Sequence, residues 1–150
     1  MRAIGIDLGT RRIGVALCDS DETLATPYET VERSGDVALD HRRLLALADE
    51  VDAECLVVGL PLSLDGSIGP AAAGVLDEVE RLRSTTSLPV ETYEERLTTV
   101  TADHLLRQGG RKSRARRKVV DQTAAAVILQ AWLDGRSAER HRLDPPPSTD

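Results

Sequence analysis

MRAIGIDLGTRRIGVALCDS, residues 1–20, decides how the rest of the chain must be arranged. Its first eight residues are an apolar run that takes in one acid, Asp7, near its end. Gly9-Thr10-Arg11-Arg12 then makes a turn, and a second apolar run, IGVALCD, occupies 13–19. Asp19-Ser20-Asp21 is another turn, followed by an extended segment over 24–31. Three strands joined by short polar loops predict an antiparallel meander.

Beyond it the period of the apolar residues changes. Ser34-Gly35-Asp36 offers a helix start, with Val37, Leu44, Leu45, Leu47 and Ala48 on one side. ECLVVGL at 54–60 is aliphatic throughout, as a strand covered on both faces should be. PLSLDGSIG at 61–69 is a loop. It could bring Gly66 and Gly69 close to a nucleic-acid backbone, or simply connect strand to helix. Pro70 suits a first helical position, and Val75, Leu76, Val79 and Leu82 form the stripe behind it. A further strand is expected over 88–94, a helix from Thr98 or Thr99 to Gln108 closed by Gly109-Gly110, and a last helix over 115–133. The order βββ-α-β-α-β-α-α predicts an α/β fold. Its mixed five-stranded sheet has three antiparallel N-terminal strands plus two parallel ones, with helices on both faces. One domain over 1–134 is expected, with 135–150, which includes Pro145-Pro146-Pro147, a disordered tail.

With 150 residues there is material for one core. Phe is absent and aromatics make up 2%, so the core must be aliphatic, and the composition argues against platforms built on aromatic stacking. Cys18 and Cys55 lie far apart without a Cys or His at ligand spacing, and His41, His104 and His141 are scattered. Zinc sites and Cys-His catalysis therefore lack support. No apolar run is long enough for a membrane span, and residues 1–10 do not have the pattern of a secretion signal. A cytoplasmic chain without membrane contact is the expectation.

The net charge of −6 conceals an asymmetry. RQGGRKSRARRK at 107–118 carries seven basic side chains and no acid, so the rest of the chain stands at −13. A cationic block on an acidic molecule points to a polyanionic partner or to a solvated loop.

Three acids are placed where chemistry is plausible. Asp7 ends a buried strand and must be paired, hydrogen-bonded or cation-bound, or else accept local backbone N–H groups as a turn residue. Glu94 and Glu95 lie at the C-terminal end of the last strand, where adjacent residues point to opposite faces, so only one can join a given site, or else they are a solvated strand end with Arg96 as counter-charge. Asp121 heads a helical stripe with Ala124/Ala125, Ile128 and Trp132, or else serves as a first-turn acid favoured by the helix dipole. Carboxylates without His suit Mg²⁺ or Mn²⁺, hard cations that support phosphodiester cleavage. Arg11, Arg12 and Arg96 are either phosphate clamps or ordinary surface charge, and Arg111, Lys112, Arg114, Arg116, Arg117 and Lys118 are a candidate backbone-binding loop.

Four segments, GIDLGTRRIGVALCD (5–19), VVGLPLSLDGS (57–67), ERLTT (95–99) and DQTAAAVILQAWLD (121–134), occur in the order of a known family. Over residues 2–134 the sequence resembles the YqgF family, also called RuvX. Its members are provisionally named pre-16S rRNA nucleases, and earlier Holliday-junction resolvases. The resemblance implies an RNase H-like fold and a metal-binding catalytic set of Asp7, Glu95 and Asp121. It departs from the family's usual Asp-Glu-Arg-Leu-Thr-Thr at Glu94, where one more methylene moves a carboxylate by roughly 1.5 Å. The implied partner is precursor rRNA, with branched DNA as the alternative substrate and a non-catalytic nucleic-acid-binding module as a third reading. A symmetric four-way junction would favour a dimer, but the sequence carries no clear dimer signature, so a monomer or a homodimer is expected. GIDLGT also resembles the phosphate loop of actin-like ATPases and sugar kinases, whose second ATP-closing domain a chain of 150 residues has no room for.

Overall fold

The computed structural model describes residues 2–19, 21–63, 65–94 and 124–136. The opening segment forms β1 (Ala3–Leu8), β2 (Arg12–Cys18) and β3 (Ala25–Glu32), paired antiparallel. Tightness of the first turn depends on Gly9, since a side chain there would collide with the Arg12 carbonyl oxygen. β3 carries a bulge, because Val15 pairs with Glu29 and Ala16 with Pro27, leaving Tyr28 as the extra residue. Pro27 cannot donate to a ladder, and β3 is an edge strand, where that loss is tolerated.

Two strand–helix units complete the sheet. Asp36 caps α1 (Val37–Glu50), its carboxylate accepting from the Leu39 N–H at 3.3 Å. β4 (Cys55–Leu60) is buried at every position and pairs parallel to β1. α2 (Pro70–Thr85) starts at Pro70, and β5 (Val90–Glu94) pairs parallel to β4, beginning after Pro89 rather than at 88. The sheet order is β3-β2-β1-β4-β5. A further helix, α3, occupies 124–136, two residues past the expected domain boundary. The expected helix over 98–108, the basic loop and the tail beyond 136 lie outside the described residues.

The two faces of the sheet are packed differently. Ile4, Ile6, Ile13, Val15, Leu56 and Val58 meet α1 and α2 through Leu44, Ala48, Val75, Val79 and Leu82. On the other face, smaller residues (Ala3, Ala16, Cys18, Cys55) join Val57 beneath Ala125, Ile128, Leu129, Trp132 and Leu133 of α3. Gly5 is where α3 comes closest: an added Cβ would lie 2.7 Å from the Leu129 Cβ and 2.8 Å from the Ala125 carbonyl oxygen. Small side chains let this helix lie almost against the β1 backbone. No helix among the described residues is long and apolar enough to cross a membrane.

Candidate nucleic-acid-processing site

Strand alternation assigns each candidate to a face. Ile4 and Ile6 point toward α1 and α2, so Ala3, Gly5 and Asp7 share the α3 side. Asp7 is half-buried and pairs with Gly14. A methyl placed on Gly14 would lie 3.8 Å from the Asp7 Cβ and 3.6 Å from the Ala125 Cβ, so the three positions form one corner. Carrying the β1–β4 register one residue past Ile6↔Val58 sets Gly59 on the other flank of Asp7, and Gly59 pairs in turn with Tyr93. A carboxylate thus stands between two glycines at the C-terminal end of a strand, where ligands collect in open α/β sheets.

The same alternation separates the two glutamates. Val90 faces the α1–α2 core and Tyr93 packs on the α3 side, so Glu94, opposite Leu60, is on the face away from Asp7. Glu95 and Asp121 lie outside the described residues, as do Arg96, Arg111, Lys112, Arg114, Arg116, Arg117 and Lys118. Among the described residues no three His, Cys, Asp or Glu side chains cluster as a metal site. Arg11 and Arg12 are exposed at the turn that follows Asp7. Arg12 precedes Ile13 of the α1–α2 core, so alternation puts it on the Asp7 face, diagonal to that carboxylate. The loop over 61–69 is closed by its own hydrogen bonds, Gly66 N–H to the Ser63 oxygen at 2.8 Å and Ser63 N–H to the Ser67 oxygen at 3.0 Å. With φ at 85°, Gly66 is accounted for by the turn itself.

One polar cluster was not anticipated. Arg33, just after β3, donates its main-chain N–H to the Arg11 carbonyl and its Nε–H to the Gly9 carbonyl, both at 2.9 Å. Its two terminal nitrogens fork onto the Glu78 carboxylate of α2 at 2.8 and 2.9 Å. Glu78 Oε1 also accepts from His41 Nε2 of α1 at 2.9 Å. Burial alone would push the Glu78 carboxyl up, but the hydrogen bonds from Arg33 and His41 outweigh it and hold the group below its ordinary range. Asp40 beside it is buried and accepts the Ser34 N–H at 3.1 Å. The signal was in the α1 stripe: Asp40 and His41 occupy the positions one turn before Leu44, which an apolar count passes over.

A family model described as "RuvX: Holliday junction resolvase" matches residues 1–135. The chain belongs to the RuvX family. A RuvX relative from Mycobacterium sp. (strain KMS), named "Putative pre-16S rRNA nuclease", is 47% identical over 138 residues, covering 91% of this chain and 82% of its own. One of the same name from Rhodococcus erythropolis is 49% identical over 140 residues, covering 91% and 79%. Among solved structures, RuvC of T. thermophilus in complex with a Holliday junction substrate superposes with a TM-score of 0.59 at 17% identity, over 92% of this chain and 96% of that one. This RuvX chain therefore has the RNase H-like fold, with the mixed sheet and two-sided helices that its sequence predicts.

Proposed function

We propose that this chain is a metal-dependent endonuclease that hydrolyses phosphodiester bonds in structured nucleic acid, with 5′-end processing of precursor 16S rRNA in the cytoplasm as its task. The observation that carries this reading is the position of Asp7, a carboxylate between two glycines at the strand end, on the face covered by α3. Family membership and the relatives' names support it.

Asp7, Glu95 and Asp121 are the acids we assign to Mg²⁺ or Mn²⁺. Their oxygen-only donor set fits a hard cation. Glu95 and Asp121 join Asp7 in this assignment on the family resemblance of the segments that carry them, ERLTT (95–99) and DQTAAAVILQAWLD (121–134). When bound, the metal supplies water activation and neutralises charge on the leaving oxygen. The chain's own groups hold the substrate: Arg11, Arg12 and Arg96 grip phosphates near the scissile bond, and the cationic block from Arg111 to Lys118 holds flanking backbone. The glycines beside Asp7 leave room for a sugar–phosphate chain to approach the sheet end.

The test is Mg²⁺-dependent cleavage of a precursor 16S rRNA fragment and of a four-way DNA junction, assayed in parallel. Cutting of the rRNA is expected, with Asp7→Asn slower by about a hundredfold or more while its melting temperature is kept. Activity surviving in the Asn variant overturns the metal mechanism, and cleavage of the junction alone transfers the reading to branched DNA. A binding module without catalysis would lose function with Arg114, Arg116 and Arg117→Ala but keep it with Asp121→Asn.

A further inference from the structure

The turn that carries Arg11 and Arg12 is gripped from the far side of the sheet. Arg33 uses its main-chain N–H on one of the turn's carbonyls and its Nε–H on another, so both ends of Gly9–Arg11 are tied to one residue. The fork to Glu78 fixes the plane of that guanidinium, and His41 fixes the carboxylate in turn. These side chains are 15%, 16% and 4% exposed. A half-buried ion pair adds little stability over an apolar cluster of the same volume. What this one supplies is direction, because each link accepts a single orientation of its neighbour.

We propose that Arg33, Glu78 and His41 are positioning residues that fix the turn over residues 9–12, and with it the approach of Arg11 and Arg12 to a substrate phosphate relative to Asp7. The catalytic consequence rests on the nuclease reading, whereas the fixing of the turn rests on this geometry alone. Glu78→Gln keeps the shape and removes the charge, and Arg33→Lys keeps the charge and removes the fork. Val79→Ala, on the same helix but in the apolar core, is a control destabilised without touching the relay.

Two readouts separate positioning from general support. Amide hydrogen exchange over residues 9–12 should accelerate in Glu78→Gln and Arg33→Lys by about tenfold more than the β1 and β4 amides, which report only the change in global stability. Cleavage of the rRNA fragment, below the melting range of every variant, should fall about tenfold in kcat/KM, mostly through kcat. Val79→Ala should change neither. Unchanged exchange in both relay variants overturns the proposal, and so does equal loosening of the turn in Val79→Ala. If the wild-type protein cleaves neither substrate, the nuclease reading falls, while the exchange data still decide whether the relay holds the turn.

Discussion

Gly5 and Gly14 lie on the same face of neighbouring strands, yet an added methyl meets different surroundings at each. At Gly5 it would press on the Leu129 Cβ and the Ala125 carbonyl, at distances no relaxed structure keeps. Gly5→Ala should cost about 1–3 kcal/mol, seen as a lower urea midpoint at unchanged slope. At Gly14 the contacts are ordinary ones of 3.6 and 3.8 Å, but one is with the Cβ of Asp7. Gly14→Ala should hold its stability within about 0.5 kcal/mol. Its cleavage rate should still fall by about tenfold, because the methyl occupies space a ligand of Asp7 needs. A Gly14→Ala variant with full activity would place the substrate elsewhere.

Among the elements, what could be read from sequence was whatever depends on near neighbours. The β1–β2 turn, the helix start at Ser34-Gly35-Asp36, the Pro70 start and the aliphatic β4 are each decided within a few residues, and each stands where expected. The contacts of Arg33 and His41 with Glu78 span 45 and 37 residues, and no local pattern announces them. At the candidate site, Asp7 was legible as the acid of a buried strand. The face of Glu94 needed the β4–β5 register, which no single strand contains.

Glu78 also sets a pH dependence for these joined elements. Its carboxyl is held below its ordinary 4.5, so the folded state binds that proton less readily than the unfolded chain. The stabilisation is present at neutral pH and is lost as the pH drops through 4.5 and below. Urea midpoints from pH 7 to 3 should fall less steeply in Glu78→Gln than in wild type. At neutral pH that variant should already be weaker by about 1–3 kcal/mol.

For the whole molecule, the decisive property is the separation of charge between a cationic block over 107–118 and an acidic remainder. A net charge of −6 repels polyanions at long range, so any binding must come from local contacts that release counterions. Replacing Arg114, Arg116 and Arg117 by Ala should reduce the log–log salt slope of nucleic-acid binding by about 2–3, at 0.7–0.9 per phosphate contact. Fluorescence anisotropy titrations across salt concentrations measure it. An unchanged slope would put this block outside the interface.

The small side chains beneath α3 have one more implication. Cys18 and Cys55 are sealed under that helix, and burial pushes the Cys55 thiol up to about 11, leaving it unreactive while covered. Alkylation of either sulfur must therefore wait for the helix to lift. The modification rate of two native thiols becomes a clock for undocking of α3, and a Gly5→Ala chain, with its helix wedged outward, should tick faster.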